Sequence, residues 1–241
     1  MSLQTALKVE SNVNHTRVTT LGHLGMGTGD WRPFDQVFSR GELTSPEEIK
    51  KGAEIDALII WGGEDISPSL YNDTPSDYTG ASKLLSRRDQ LEAAAFYEAV
   101  KRGIPVIGIC RGAQLVCALS GGRLIQHVNN HGVTHPMKTV DGRVLDTSSM
   151  HHQMMFPYDL PEASYELLAW AHPARSTKYL VSADNHEERG MELREEPEVV
   201  WFPLSKSLAI QGHPEFHRSP EKDPFVQYCM ELTRKYILGK E

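Results

Sequence analysis

The sequence predicts an α/β fold in which a doubly wound, mostly parallel sheet is flanked by helices. Short, continuous apolar segments are typical of parallel strands that are buried on both faces. Here they alternate with longer segments of helical composition, and glycines mark most of the transitions. No internal repeat, linker or change in composition divides the 241 residues. We therefore expect residues 1–241 to form a single domain.

The first well-defined helix is predicted over residues 44–52. Ser45 is placed as its N-cap, and Pro46 occupies the first helical position. Glu48 completes a capping box with Ser45, and Gly52 ends the helix. A buried strand should follow directly.

That strand is predicted over residues 54–61, because its second half is continuously apolar. Gly62 and Gly63 end it, and residues 64–80 are expected to form a loop. Before residue 44, the only candidate strand lies at residues 16–21.

A long helix is predicted over residues 86–102, with Ser86 as its N-cap and Gly103 at its end. Arg88 and Asp89 lie in its first turn. We expect both side chains to be exposed or to cap the helix.

A second buried strand at residues 104–109 leads into a helix over residues 111–119, and Cys110 lies at their junction. Further strands are predicted at residues 123–128, 165–170, 199–203 and 207–211. A last helix over residues 223–238 repeats apolar side chains at helical spacing, so that face should pack on the sheet.

The composition excludes several classes of partner. The chain has 25 basic and 32 acidic side chains, a net charge of -7, and its basic residues form no long run. A nucleic-acid or anionic-membrane partner is therefore disfavoured. The longest uncharged apolar stretch, residues 57–61, is far below the roughly 18 residues of a membrane span. No export signal is visible and three cysteines cannot all pair, so we expect a cytoplasmic protein.

The junction at Cys110 has the form Gly-x-Cys-x-Gly, from Gly108 to Gly112. This is the cysteine counterpart of the serine nucleophile elbow. A turn this sharp strains the backbone, and a side chain at either glycine would collide with the neighbouring strand or helix. The sulfur lies at a helix N-terminus, where partial positive charge stabilises a thiolate. Cys110 is therefore the candidate nucleophile, whereas Cys117 and Cys229 are expected in the core.

A cysteine nucleophile needs a base, and His213 is the candidate. It follows a strand that should run parallel to the first two, and the carboxyl ends of such strands share one crevice. Glu215, two residues further on, can accept a hydrogen bond from the second imidazole nitrogen and set its tautomer.

These motifs together resemble the class I glutamine amidotransferase superfamily. The resemblance covers residues 56–216 and is carried by the elbow from Gly108 to Gly112, the pair Gly62 and Gly63, and the triplet that begins at His213. The segments GGEDISPSLY (residues 62–71) and SSMHHQ (residues 148–153) resemble its branch of stand-alone γ-glutamyl hydrolases, such as the γ-glutamyl-γ-aminobutyrate hydrolases.

The resemblance implies a flavodoxin-like fold and hydrolysis of a γ-glutamyl amide through a covalent thioester. It makes Cys110 the nucleophile, His213 the general base and Glu215 the residue that orients it. Backbone N–H groups of Gly63 and Arg111 would form the oxyanion hole. The glutamyl part of a small-molecule substrate would contact a further set of residues. That set is Gly62, Gln114, Ser149 and His151.

Simpler interpretations exist for part of this set. Gln114 could be an ordinary polar helix residue, and residues 148–153 could be a surface turn. The N-terminus also departs from the superfamily pattern, since a short apolar strand is expected within the first ten residues and none is present.

The histidines suggest a metal site as an alternative. Five of them lie within 26 residues: His127, His131, His135, His151 and His152. No pair has the i, i+4 helical context and the glutamate of a zincin, no Cys-x-x-Cys accompanies them, and residues 129–136 have a loop composition. We therefore expect solvated or substrate-facing histidines, no metal, and no organic cofactor.

Two other functions remain open beside a plain hydrolase. One is a glutaminase subunit that delivers ammonia to a separate synthetase, and the other is a catalytically silent binding module on the same fold. A second copy of the chain is the remaining candidate partner.

Overall fold

The computed structural model describes residues 20–24, 31–180 and 195–240, which form thirteen strands and four α-helices. The strands are β1 Thr20–Leu24, β2 Arg40–Thr44, β3 Ala57–Ile60, β4 Val106–Ile109, β5 Arg123–Ile125, β6 His127–Val128, β7 His135–Thr139, β8 Val144–Thr147, β9 Met154–Phe156, β10 Glu166–Ala171, β11 Tyr179–Leu180, β12 Glu196–Phe202 and β13 Ser207–Ile210. The helices are α1 Pro46–Lys51, α2 Arg87–Lys101, α3 Arg111–Leu119 and α4 Pro224–Leu232.

Nine strands form the central sheet, in the order β2-β1-β3-β4-β13-β12-β10-β7-β8. The first five are parallel, and the last four add antiparallel pairings. Only β12 and β7 run against the other seven strands. The predicted mostly parallel sheet is confirmed.

Two hydrophobic layers cover the sheet, because successive residues of its buried strands point to opposite faces. In β3, Leu58 and Ile60 pack with α1, α2 and α3, whereas Ile59 packs on the opposite face with α4. Burial on both faces explains why β3, β4 and β13 are continuously apolar. The predicted doubly wound arrangement follows from this alternation.

The helix termini follow their sequence signals. Ser45 caps α1 by accepting a hydrogen bond from the Glu48 amide, and Gly52 ends it with a left-handed φ of 106°. Ser86 and Asp89 form a complete capping box on α2. The last helix continues beyond α4 as a π-helical turn, Thr233–Ile237, so its predicted extent and apolar face are confirmed.

Several weaker expectations need correction. The strand predicted at residues 123–128 is two strands, β5 and β6, that pair with β9 and β11 outside the central sheet. Strands β2, β7 and β8 were not predicted, because they are polar and only half buried. The predicted loop at residues 64–80 contains a short 3₁₀ turn, Pro68–Tyr71. Of the strand predicted at residues 16–21, only its last two residues lie among the described ones, at the start of β1.

In the part of the chain that the structure describes, no helix is long and apolar enough to cross a membrane.

Candidate active site

Three parallel neighbours, β3, β4 and β13, end at the same edge of the sheet. Gly62 and Gly63 lie just past the end of β3, Cys110 directly follows β4, and His213 comes three residues after β13. The site is therefore positioned by the sheet, at the edge where groups of an open α/β fold meet.

Cys110 occupies a strained turn. Its φ is 50° and its ψ is -107°, a region that non-glycine residues rarely adopt. The residue is the N-cap of α3, and its amide donates a 2.8 Å hydrogen bond to the Ile210 carbonyl. The predicted elbow is present, with the cysteine at its apex.

The two elbow glycines are required by close approach. A Cβ atom at Gly108 would lie 2.4 Å from the Gly112 carbonyl oxygen, and one at Gly112 would lie 2.0 Å from the Ile60 carbonyl oxygen. Both contacts are with backbone atoms, which cannot rotate away. The elbow therefore accepts no larger residue at either position without displacing a strand or α3.

His213 faces Cys110 on one side and Glu215 on the other. Its Nδ1 lies 2.8 Å from Oε1 of Glu215, so Nδ1–H donates to the carboxylate and Nε2 is left for the sulfur. A Cβ atom built on Gly62 would lie 3.0 Å from the imidazole Cε1 and 3.4 Å from Cβ of Cys110. The nucleophile and the base candidate thus meet across a residue that has no side chain.

The imidazole of His213 holds its proton strongly. Burial favours the neutral ring, but hydrogen bonds to Cys110 and Glu215 outweigh burial and raise the pKa of His213 to about 10. At neutral pH the ring is therefore an imidazolium beside the sulfur. A group in that state is able to protonate a departing amine.

Ser148 and Phe216 hold His213 in place, and sequence reasoning missed both. The His213 amide donates to the Ser148 carbonyl at 3.0 Å, and the Ser148 hydroxyl donates to the His213 carbonyl at 2.7 Å. The Phe216 ring stacks on the imidazole, with centroids 4.2 Å apart. An exposed phenylalanine immediately after the His-Pro-Glu triplet was the one available signal.

Arg88 positions the loop after β3. Its guanidinium donates to the carbonyls of Trp61 and Gly62, at 3.0 and 2.9 Å. Gly63 has a φ of 151°, and a Cβ atom there would lie 2.2 Å from Nη1 of Arg88. The loop that carries one proposed oxyanion donor is therefore fastened directly to α2.

A buried ion network continues from this contact to the elbow helix. Arg88 donates to Glu92 at 2.8 Å, and Arg111, the first residue of α3, pairs with both Glu92 and Asp89. Asp89 also caps α2 through Ser86. The expectation that Arg88 and Asp89 are exposed is wrong, since Asp89 is 2% exposed and Arg88 is mostly covered; the capping role of Asp89 is confirmed.

The other side chains assigned to the substrate, those of Gln114, Ser149 and His151, are buried. The side-chain Nε2 of Gln114 donates to the Gln153 carbonyl at 3.1 Å and lies 3.4 Å from Oε1 of Gln211. Ser149 donates its hydroxyl hydrogen to the His131 carbonyl, and Nδ1 of His151 bonds the Gln153 carbonyl at 2.7 Å. The alternative of a surface turn at residues 148–153 is therefore wrong for Ser149 and His151, which are buried.

The histidines divide into two groups. His131, His135 and His151 are buried, so the expectation of solvated side chains is wrong for these three. His152 is half exposed and pairs with Asp65 at 3.1 Å.

The other two cysteines are core residues, as predicted. Cys117 and Cys229 are fully buried. Burial raises the pKa of the Cys117 thiol to about 12 and that of Cys229 well above its ordinary value. Neither thiol is activated for chemistry.

Known proteins are similar to this chain in sequence and in fold. The Peptidase C26 family model matches residues 43–160, which include the elbow. NtpR of Enterococcus hirae is 41% identical over 78 residues, 32% of each chain. The glutamine amidotransferase-like protein YvdE of Lactococcus lactis subsp. lactis is 27% identical over 169 residues, 61% of this chain and 67% of that protein. The carbamoyl phosphate synthase small chain of Ralstonia nicotianae is 33% identical over 129 residues, 53% of this chain and 29% of that one.

Solved structures have the same fold at low sequence identity. A glutamine amidotransferase from Thermotoga maritima superposes with a TM-score of 0.54 at 16% identity, covering 92% of this chain and 87% of that one. The glutaminase domain of Trypanosoma brucei CTPS, solved with bound acivicin, gives 0.54 at 14% identity, with 93% and 95% coverage.

The fold is an α/β fold like that of the solved glutamine amidotransferases. The family match, the curated relatives and the solved structures together support the class I glutamine amidotransferase-like superfamily as the group that this chain resembles. The aligned part of this chain spans about a third of the length of NtpR and of the synthase small chain.

The ion network predicts a large cost for Glu92→Gln. The change leaves Arg111 with a weakened partner in a buried site, and breaking a buried pair costs about 3 kcal/mol or more. Urea unfolding of both proteins measures the difference. Asp159→Asn is the matched control, because the Arg123–Asp159 pair is 41% and 50% exposed and should cost less than about 1 kcal/mol. Equal losses would refute the network.

The raised pKa of His213 predicts a pH-dependent stability. A group whose pKa is higher in the folded state stabilises that state fully below its unfolded value of 6.5 and loses the effect as the pH rises through about 10. The stability advantage of the wild type over His213→Gln should therefore shrink between these limits. Urea titrations of both proteins across this range measure it, and a constant difference would contradict the assignment.

Proposed function

We propose that the protein hydrolyses γ-glutamyl amides, either glutamine or a γ-glutamyl amine, through a glutamyl thioester on Cys110. One observation carries the proposal: the imidazole of His213 lies between the elbow cysteine and Glu215, with its tautomer fixed by the carboxylate. A nucleophile, a base and an orienting group in this order are the requirements of acyl transfer through a covalent intermediate.

In the first half-reaction, the deprotonated sulfur of Cys110, beside the protonated His213, attacks the γ-carbonyl carbon of the substrate. The carbonyl electrons move to oxygen, and the resulting oxyanion accepts hydrogen bonds from the amides of Gly63 and Arg111. When the C–N bond breaks, the nitrogen takes the proton held by His213 and leaves as ammonia or an amine. The γ-glutamyl group remains as a thioester.

In the second half-reaction, His213 is neutral and acts as the general base. It removes a proton from water, the oxygen attacks the thioester carbon, and the C–S bond breaks. Glutamate leaves and the sulfur regains its starting state. Glu215 keeps the ring oriented throughout.

The proposed oxyanion donors are supported by the ion network. Gly63 lies in the loop whose carbonyls bind Arg88, and Arg111 is the residue that pairs with Asp89 and Glu92. The same buried charges thus hold both donors. Preorganised donors of this kind supply much of the rate enhancement in acyl transfer.

For the glutamyl part of the substrate, Gly62 has the clearest support, because a Cβ atom there would touch both Cys110 and His213. Gln114 follows Cys110 by one helical turn, and its backbone amide bonds the Cys110 carbonyl. Ser149 and His151 are 8% and 7% exposed, and we propose that they face the glutamyl part as well.

A stand-alone hydrolase is favoured over a subunit of a larger enzyme by the segments GGEDISPSLY and SSMHHQ. Both fall within the residues matched by the Peptidase C26 family model. We further propose that residues 1–241 act as one cytoplasmic domain. The leaving amine is expected to be neutral or cationic, since the chain carries a net charge of -7.

A glutaminase subunit is the second candidate. The observation in its favour is the similarity to a carbamoyl phosphate synthase small chain and to the glutaminase domain of a CTPS. A silent binding module is disfavoured, because Cys110, His213 and Glu215 are all present and mutually arranged.

Steady-state assays of the purified chain alone test the proposal. The panel contains glutamine and γ-glutamyl derivatives of a cationic, a neutral and an anionic amine. We expect a γ-glutamyl amine to be cleaved faster than glutamine, and Cys110→Ser to lose about a thousandfold or more. Cys117→Ala, the matched control in the core, should stay within a few-fold.

Other outcomes identify the competing functions. Glutaminase activity that appears only when a synthetase is added would replace the hydrolase by the subunit. No turnover under either condition, with all three cysteines equally unreactive toward a glutamine-like electrophile, would indicate a binding module.

A further inference from the structure

A second cluster of buried titratable side chains lies outside the group formed by Cys110, His213 and Glu215. His131, His135, His151, Glu196 and Glu198 are each at most 7% exposed. The two glutamates come from β12, His135 begins β7, and the other histidines lie in the segments before β7 and β9. The proposed hydrolysis uses none of them as a reacting group.

Part of this cluster lacks hydrogen-bond partners. Nδ1 of His131, Nε2 of His151 and Oε2 of Glu198 are buried and unpaired. Each such atom costs free energy, because it has left water without a replacement. The three atoms belong to neighbouring residues of one cluster, so a common partner is the simplest explanation for all of them.

The unpaired residues converge on one point. One ligand atom from each of His131, His151 and Glu198 lies within 4.8 Å of the other two. Nδ1 of His131 is 3.4 Å, and Nε2 of His151 is 4.0 Å, from Oε1 of Glu198. All three groups are electron-pair donors, so a cation between them would satisfy them together.

The opposite nitrogen of each of these two rings is already bound. Nε2 of His131 bonds Glu196 at 3.1 Å, and Nδ1 of His151 bonds the Gln153 carbonyl at 2.7 Å. A neutral imidazole whose proton is held on one nitrogen presents a lone pair on the other. Carboxylate and carbonyl acceptors behind the histidines are the usual second layer of a metal site.

The supporting layer is itself well anchored. Glu196 accepts hydrogen bonds from the amides of Arg175 and Ser176 and from the Tyr179 hydroxyl, at 2.7, 2.8 and 2.6 Å. Nε2 of His135 lies 2.8 Å from Oε1 of Glu198 and is placed to hold that carboxylate in position.

We propose that His131, His151 and Glu198 bind one divalent transition-metal ion, with zinc as the best match. Two imidazoles and a carboxylate are a known zinc set that leaves a fourth position for water or a ligand. Zinc–ligand distances near 2.0–2.2 Å require each ligand atom to move inward by roughly half an ångström to an ångström. The site does not include Cys110, His213 or Glu215, and no step of the hydrolysis proposed above passes through it, although His151 is also one of the residues proposed for the substrate pocket.

The sequence led us to expect no metal because the three ligands are far apart along the chain. Sequence spacing gave no zincin motif, because the ligands come from residues 131, 151 and 198, in three separate segments. Strand β12 carries Glu198, and the segments before β7 and β9 bring the two histidines to it, where the His151 amide donates to the His131 carbonyl at 3.3 Å.

A shared proton is the competing explanation. A proton on Nδ1 of His131 would pair that atom with Glu198. It would leave Nε2 of His151 unpaired, however, and the metal accounts for both rings.

Zinc titration of the metal-stripped 241-residue chain against a chromogenic chelator tests the proposal. We expect one ion per chain with a Kd of about 1 µM or tighter. Glu198→Gln and His151→Gln should each weaken binding at least about 100-fold, and Glu196→Gln, which acts through His131, about 10–100-fold. His152→Gln is the matched control, because it removes the neighbouring histidine outside the cluster and should not change Kd.

Cobalt substitution gives an independent readout. The wild type should show the visible absorption of tetrahedral Co²⁺, and the Glu198→Gln protein should not. If Glu198→Gln does not fold, the His151→Gln variant and the cobalt spectrum of the wild type still decide the question. Absence of stoichiometric zinc binding by the wild type, or equal Kd values for wild type, His151→Gln and His152→Gln, would overturn the proposal.

Discussion

The strained backbone at Cys110 is the constraint on which the rest of the site depends. A positive φ at a residue with a side chain is held only if its surroundings leave it no alternative. Here the Cys110 amide is tied to the Ile210 carbonyl, and Gly112 packs on the Ile60 carbonyl at a distance that excludes a Cβ atom. The same strand pairing that enforces the turn also brings His213 to the sulfur.

The charged network is the second support of this geometry. Arg111 lies in α3 immediately after Cys110 and is 2% exposed, so it requires its two carboxylate partners. Those partners lie on α2, which also carries Arg88 and through it fixes the loop at Gly62. One set of buried charges therefore connects the elbow, the loop and the first turn of a long helix. This connection explains why polar residues occupy the start of α2.

The parts of the fold that could be predicted are those whose signals are local. Continuous apolar runs identified β3, β4 and β13, and capping residues located α1 and α2. The Gly-x-Cys-x-Gly pattern predicted the sharp turn at Cys110. The short separation of His213 and Glu215 in the sequence predicted the hydrogen bond between them.

The missed features depend on contacts between distant segments. Arg111 pairs with Asp89 and Glu92 from another helix. Because this partner is distant in the sequence, the charged residues at the start of α2 were expected to be exposed to solvent. Strands β7 and β8 are half buried at the end of the sheet, so they lack an apolar run. The cluster of His131, His151 and Glu198 exists only after three segments converge, and no spacing along the chain encodes it.

Capture of the covalent intermediate tests the central claim most directly. The wild-type protein is mixed with a γ-glutamyl substrate, quenched in acid during the first turnover, digested and analysed by peptide mass spectrometry. The account predicts one added γ-glutamyl group on the peptide that contains Cys110, released by hydroxylamine as expected of a thioester. Turnover with no adduct on that peptide, or with the adduct on another residue, would contradict it.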